Sequence, residues 1–236
     1  MRARIERGLA ALGLTPPPQA AAQLEAYGRL LLEQNQVMNL TAITDPDQVV
    51  DLHFLDSAAL LTIGTAFAGK TLIDVGTGAG FPGLPLKLLE PSLSVTLLDS
   101  LGKRVSWLED VCKALSLDNV TCLHARAEEQ ARETGFRDSF DLAVSRAVAS
   151  LEVLSELCLP YVKVGGKFLA MKSVDSGAET EGAARAIAKL GGRLLPRVDY
   201  TIPGTGIVHR VVAVEKVSPT PKEYPRRWAK IQKAPL

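Results

Sequence analysis

The spacing of apolar positions changes character near residue 70. Upstream it is helical. In QAAAQLEAYGRLLLEQNQ (19–36), Leu24, Tyr27 and Leu31 fall on one stripe, and Thr15-Pro16 supplies a cap and a first-turn proline. DPDQVVDLHFLDSAALL (45–61) opens on Asp45-Pro46 and sets Val49, Leu52, Leu55 and Leu60 on one broad face, before FAGK marks a boundary. From Thr71 short apolar runs alternate with helical stripes. TLIDV (71–75), SVTLLD (94–99), VTCLH (120–124), FDLAVSRA (140–147) and KFLAMKS (167–173) read as strands. Between them, SLGKRVSWLEDVCKALSL aligns Val105, Leu108, Val111 and Leu115, SLEVLSELCLPYV reads as a helix ending near Pro160, and another helix covers roughly 178–190. RLLPRVDYTIP and HRVVAVEKV then form two extended runs close enough to pair. The pattern predicts an α/β fold, a mostly parallel sheet with helices on both faces and an antiparallel edge hairpin. It divides the chain into an N-terminal helical cap over 1–69, an α/β domain over 70–216, and a Pro-rich basic tail over 217–236 with no core pattern.

Composition narrows the class. The chain has 236 residues, 47% of them hydrophobic and 22% charged, which suits a soluble globular protein with a sizeable core. A net charge of +1 leaves any nucleic-acid binding to local patches. Cys112, Cys122 and Cys158 have neither pairing nor metal spacing, which favours a reducing compartment, and the three histidines lie far apart, so no metal is expected. The basic, then apolar start MRARIERGLAALGL is interrupted by Glu6, Gly8 and Gly13, and no apolar run approaches the roughly eighteen residues of a membrane span. A cytoplasmic monomer is the expectation.

The chemistry concentrates in DVGTGAGFPGLP (74–85). Gly78, Gly80 and Gly83 satisfy the dinucleotide frame G-x-G-x-x-G, while Gly76, Gly78 and Gly80 form G-x-G-x-G behind Asp74. A pyrophosphate would sit on the N-terminus of the following helix. Asp74 would repel it, and Pro82 removes an N–H donor there. A cofactor carrying cations and no phosphate, S-adenosylmethionine, inverts that logic. Asp99 ends the second strand, where either cofactor wants an acid for ribose hydroxyls. No G-K-[ST] follows, so the phosphate loop of nucleotide triphosphatases is excluded.

LIDVGTGAGFPGLPLKLLEPSLSVTLLDSLGKRVSWLEDV, HARAEE, SRAVASL, LSELCLP and AMKS, together with NLTAI (39–43), HFLDS (53–57) and YPRR (224–227), resemble the RsmG (GidB) family over most of the chain. Members are class I, Rossmann-like methyltransferases that use S-adenosylmethionine to methylate guanine N7 in 16S ribosomal RNA. The resemblance implies cofactor contacts from Asp74, Gly76, Gly78 and Phe81 in the loop, Asp99, Ser100 and Leu101 after the second strand, Ala127 and Glu128 beside the adenine, and Arg146 after the fourth strand. It implies RNA contacts from Lys103, Arg104, Lys172, Arg226 and Arg227, and 16S rRNA or the small ribosomal subunit as partner. The chain departs from the family at Val208-His209-Arg210 and after YPRR, where it reads WAKIQK.

The residues can be asked which methylation they permit. Pyrimidine C5 needs a nucleophilic cysteine, and all three cysteines fall inside predicted helices or strands. Exocyclic amines commonly use N/D-P-P-Y/F after the fourth strand, where this chain has SRAV. Guanine N7 has a lone pair and no proton to lose, so no general base is required. Arg146 is the candidate for positioning the base, since the N7/O6 edge suits arginine, with cofactor contact as the other role. His53 and Asp56, three apart, are placed to touch on one helix face. Arg2, Arg4 and Arg7, and Lys222, Arg226, Arg227, Lys230 and Lys233 interleaved with Tyr224 and Trp228, are the basic clusters available to RNA. A methyltransferase for another RNA, a protein or a small molecule, and an NAD-dependent oxidoreductase using the G-x-G-x-x-G frame, remain as alternatives.

Overall fold

The computed structural model describes residues 1–146 and 149–236. Two helices open the chain, α1 (Arg2–Ala11) and α2 (Ala20–Met38). Asn39 ends α2 in the left-handed conformation, which asparagine tolerates better than other side chains. Residues 46–62 form a composite helix. It starts as α3 (Pro46–Val49), capped by Asp45 accepting from Asp47 and Gln48, and widens to a π turn at Val50–Leu55. It returns to α4 (Asp56–Ala58) and tightens to a 3-10 end at Ala59–Thr62.

The alternating part follows the sequence pattern closely. β1 (Thr71–Val75), β2 (Ser94–Asp99), β3 (Val120–His124) and β4 (Phe140–Arg146) are parallel. Between them lie α5 (Gly83–Leu89), α6 (Gly102–Ala114) and α7 (Ala127–Gln130). Ala147 and Val148 lie outside the described residues, so the SRAV turn is described only as far as Arg146. α8 (Leu151–Cys158) leads to β5, which runs Val162–Ser173 and so begins five residues before the predicted run. α9 (Gly177–Lys189) follows. The extended run 193–203 splits at Pro196 into β6 (Gly192–Leu194) and β7 (Val198–Thr201), because proline cannot donate to a ladder. Both pair antiparallel with β8 (Val208–Lys216), which pairs antiparallel with β5. The sheet order is β3-β2-β1-β4-β5-β8-β6, with β7 also on β8.

Each sheet face buries one apolar cluster. On one face Ile5, Leu24, Tyr27, Leu31 and Phe54 of the first seventy residues share a continuous core with Leu72, Leu84, Leu97 and Leu108. The N-terminal helices are therefore a layer of the main core. The opposite face buries Ile73, Leu98, Leu154, Phe168 and Val212.

The C-terminal segment corrects the expectation of a coreless tail. Tyr224 and Ile231 are buried in the second cluster, and α10 (Trp228–Lys233) docks there. Arg132 and Arg137 donate to the carbonyls of Thr220, Glu223, Tyr224 and Pro225, holding the extended stretch against α7 and its neighbours. Among the described residues no helix is long and apolar enough to cross a membrane, and no group of three or more His, Cys, Asp or Glu could hold a metal ion.

Candidate active site

The glycine loop leaves β1 over the carboxyl ends of the strands, where open α/β sheets bind ligands. Its shape is set from below by Asp74, whose Oδ2 accepts from the Thr77 hydroxyl at 2.7 Å and from the Gly83 N–H at 2.8 Å. From the side, Asp99 Oδ2 accepts from the Gly78 N–H at 2.9 Å and Oδ1 from the Leu101 N–H at 2.9 Å. Gly80 has φ +94°, and a Cβ there would lie 2.6 Å from the Tyr27 hydroxyl. That hydroxyl donates to the Ala79 carbonyl, tying the helical layer to the loop. Tyr27 also lies 5.5 Å from Phe54, 5.4 Å from Phe81 and 6.4 Å from Trp107, ring centre to ring centre.

These contacts decide between the two glycine frames. At the start of α5 the Gly83 N–H is committed to Asp74, the Leu84 N–H donates to Gly80 O at 2.8 Å, and Pro85 has no N–H. The bare donors that a pyrophosphate requires are absent from this helix start. A Cβ on Gly83 would lie 2.6 Å from Leu97 and 2.9 Å from Asp74 Oδ2, so this glycine serves packing.

Asp74 is fully buried beneath the loop and is absent from the lining of the cavity above it. The carboxylate expected to contact the cofactor thus lies under the loop and not on the cavity wall. Burial pushes its carboxyl up to about 6, against the bonds from Thr77 and Gly83, and its Oδ1 has no hydrogen-bond partner among the described residues.

Two adjoining cavities share Gly76 and Ser100. The larger, about 470 Å³, is lined by the loop, Asp99, Leu101 and Arg104 on one side and by Leu40, Thr41, His53 and Arg146 on the other. The smaller, about 240 Å³, lies between Leu98, Leu154 and Leu157, with Ala127, Glu128 and Trp228 at its edge. The expected cofactor residues Gly76, Gly78, Phe81, Asp99, Ser100, Leu101, Ala127, Glu128 and Arg146 all line one cavity or the other.

Arg146 is the centre of a polar network. Its Nη1 donates to the Leu52 carbonyl at 2.9 Å and to Asp56 Oδ2 at 3.1 Å, and its Nη2 donates to His53 Nδ1 at 2.9 Å. The guanidinium also lies 5.0 Å from the centre of the Phe81 ring, on which His53 stacks at 4.4 Å. His53 and Asp56 do not bond each other, as their spacing suggested; the π turn brings both to one guanidinium, and π turns often mark functional sites. Asp56 Oδ1 accepts from Tyr200 at 2.7 Å and His209 Nδ1 at 2.8 Å. Burial raises the Asp56 carboxyl, but the His209 bond, the Arg146 charge and the Tyr200 bond outweigh it and hold it below the usual range. The Asp56 bond raises His209. Burial, followed by the Arg146 charge, lowers His53 to about 3, leaving it neutral.

The five expected RNA-contact residues divide. Lys103 is exposed. Arg104 lies 3.7 Å from Asp99 and lines the larger cavity, so it faces the pocket. Lys172 is committed to the Ala149 carbonyl at 2.7 Å and Glu179 at 2.8 Å. Arg226 is half-buried in a two-pronged pair with Glu156, at 2.9 and 2.6 Å, and its remaining surface lines a cleft shared with Arg227. Arg227 is exposed and lines an arginine-rich cleft with Arg126, Arg132 and Trp228. Sequence reasoning missed Thr41, Tyr200, His209 and Trp228 as site residues. NLTAI had pointed at the first, and the unusual order at 208–210 at the third.

A mostly parallel sheet with an antiparallel last strand, and cavities over β1, β2 and β4, define the class I methyltransferase fold. A SAM-dependent methyltransferase from Aquifex aeolicus shares it, with TM-score 0.55 and 20% identity over 75% of this chain and 96% of that one. M. jannaschii TYW2 in complex with AdoMet does so with TM-score 0.51 and 17% identity, over 64% and 71%. Residues 20–199 match the family model GidB, rRNA small subunit methyltransferase G. The ribosomal RNA small subunit methyltransferase G of Lachnoclostridium phytofermentans is 47% identical over 98% of this chain and 95% of that protein. That of Alkaliphilus metalliredigens is 44% identical over 98% and 97%. The chain belongs to the rRNA small subunit methyltransferase G family.

Proposed function

We propose that the protein transfers a methyl group from S-adenosylmethionine to N7 of a guanine in 16S ribosomal RNA, in the cytoplasm and as a monomer. The observation that carries the cofactor assignment is the start of α5, where every early donor is committed or missing while a buried acid lies beneath the loop. That arrangement disfavours a pyrophosphate and suits a cationic ligand. Membership of the rRNA small subunit methyltransferase G family supports the RNA substrate.

When bound, the cofactor supplies an electrophilic methyl group on a sulfonium. Asp99 has oxygen lone pairs left for ribose hydroxyls, while Leu98, Leu154, Leu157 and Trp228 form the slot for the adenine. Arg146 retains Nε–H and one Nη2–H among the described residues, donors for the acceptors that enter the larger cavity, a cofactor carboxylate or guanine O6. No residue has to remove a proton, because N7 carries none. Catalysis is then chiefly positioning, with the base held at attack distance by a side chain whose own orientation is fixed from several directions. Lys103, Arg126 and Arg227 are exposed cations near the cavities that phosphates can reach.

Labelled cofactor incubated with small subunits lacking the modification, followed by mapping of the modified nucleotide, tests this reading. Label is expected on guanine N7. Label on a ring carbon or an exocyclic amine, or binding of NAD without binding of S-adenosylmethionine, refutes it.

A further inference from the structure

The hydrogen-bond network fixes the direction of each proton, because arginine can only donate. Arg146 Nη2–H donates to His53 Nδ1, so that nitrogen carries no hydrogen. The neutral imidazole therefore carries its hydrogen on Nε2, which lies 2.9 Å from Thr41 Oγ1 and donates to it. The Ile43 N–H donates to the same oxygen at 3.1 Å. Thr41 Oγ1 thus accepts twice, and its own hydrogen has no acceptor among the described residues. Thr41 lines the larger cavity together with His53 and Arg146.

The backbone of Thr41 is held as firmly as its side chain. Asn35 Oδ1 accepts from the Thr41 N–H at 2.8 Å, and Asn35 Nδ2 donates to the Thr41 carbonyl at 2.9 Å. One amide side chain on α2 so satisfies both backbone groups of a residue just beyond the helix, and Asn39, left-handed, turns the chain to meet it. A threonine fixed at backbone and side chain, with one unused donor at a cavity wall, is a preorganised hydrogen-bond donor.

We propose that the Thr41 hydroxyl donates to O6 of the target guanine and so helps orient N7 for methyl transfer. The inference rests on the guanine-N7 reading above. N7 must keep its lone pair for the incoming methyl, so a donor on that edge belongs on O6. O6 has two lone pairs, and a bond from Thr41 does not compete with one from Arg146. The hydroxyl is a positioning group and takes no part in proton transfer.

The test compares Thr41→Val, which keeps the shape and loses the donor together with the acceptor used by His53 and Ile43, with Thr41→Ser, which keeps both. Each is assayed on RNA carrying guanine or 2-aminopurine at the target position, the latter retaining N7 and lacking O6. On guanine RNA, kcat/KM for Thr41→Val is expected to fall roughly tenfold, the worth of one hydrogen bond, and Thr41→Ser to stay within about twofold. On 2-aminopurine RNA the gap between Thr41→Val and wild type is expected to close. The same comparison in the RNA dissociation constant of cofactor-loaded protein needs no turnover. S-adenosylmethionine affinity should be unchanged in both variants. An equal loss by Thr41→Val on both RNAs, or a loss by Thr41→Ser as large as that by Thr41→Val, overturns the proposal alone. Failure of the wild type to methylate guanine N7 overturns the parent reading and this one with it.

Discussion

Replacing Asp74 by asparagine should make the ligand-free protein more stable at alkaline pH while weakening cofactor binding. The carboxyl is fully buried and its pKa is raised from 3.8 to about 6 by burial. The unfolded chain releases this proton near 3.8 and the folded chain near 6, so between those values the folded state binds more protons. Stability from this group is therefore full below 3.8, declines as pH rises through 6, and is level above it. Ionising the buried acid costs about 3 kcal/mol at pH 8. Asparagine removes that cost. Its oxygen keeps the bonds from Thr77 and Gly83, but its amide places two donors where Oδ1 has no partner among the described residues, at a cost of about 1–3 kcal/mol. The net change at pH 8 runs from none to a gain of about 2 kcal/mol. The change in that difference between pH 5 and pH 8, about 1.5 kcal/mol, is independent of the amide cost. Urea unfolding of both proteins without cofactor at the two pH values measures it, and calorimetric titration with S-adenosylmethionine measures the other half. Affinity is expected to fall about tenfold or more, equivalent to about 1.4 kcal/mol. A stability difference that does not vary with pH, or unchanged affinity at pH 8, would refute the assignment of a buried anion working from beneath the loop.

Three further outcomes follow from the same geometry. His53 stays neutral in the folded protein down to about 3, whereas the unfolded chain takes up its proton near 6.5, so stability should fall as pH drops through that window. The loss is about 2 kcal/mol by pH 5, and His53→Asn should flatten the slope in pH-dependent denaturation, whereas an unaltered slope would show that His53 titrates normally. Arg226→Ala should cost roughly 3–5 kcal/mol in urea unfolding by stranding the buried Glu156, while Arg227→Ala should reduce the salt slope of RNA binding by about one with little change in stability. Trp107 is buried in the other core cluster and Trp228 edges the smaller cavity, so cofactor titration should change tryptophan fluorescence in the wild type and leave Trp228→Phe silent.

What was legible in the sequence is what local spacing encodes. TLIDV, SVTLLD and VTCLH are strands at their predicted bounds, because each is a short apolar run closed by a turn. The choice against a pyrophosphate was also legible, since Asp74 and Pro82 act on donors only a few residues away. Asp74 was misplaced nonetheless: sequence reveals a charge at a strand end but not whether it points up into a cavity or down beneath a loop. The network around Arg146 was less visible. Arg146 lies 93 positions from His53 and 90 from Asp56, His209 lies 153 from Asp56, and no periodicity links such pairs. A π turn breaks the helical spacing that would have located His53 and Asp56 relative to each other. The C-terminal segment was read as having no core pattern because its anchors, Tyr224 and Ile231, are single residues in a basic, Pro-rich stretch, too few to make a pattern.

The first seventy residues carry the largest consequence of that blind spot. Read by their stripes they are a cap, and in the fold they are a wall of the site. Tyr27 holds the loop at Ala79, the Leu52 carbonyl and Asp56 hold Arg146, and Leu40 and Thr41 close the larger cavity. Their apolar faces merge with those of α5 and α6 in one core. The carboxyl-end face of an α/β sheet needs only the strands and their loops to make a cofactor slot. Here the side of the slot that would meet the base is contributed from outside the alternating region. Substitutions at Leu40 or Thr41 that leave the sheet and the Tyr27 contact intact should therefore affect base placement before they affect cofactor affinity, since the smaller cavity, with Ala127 and Glu128, makes no use of that layer.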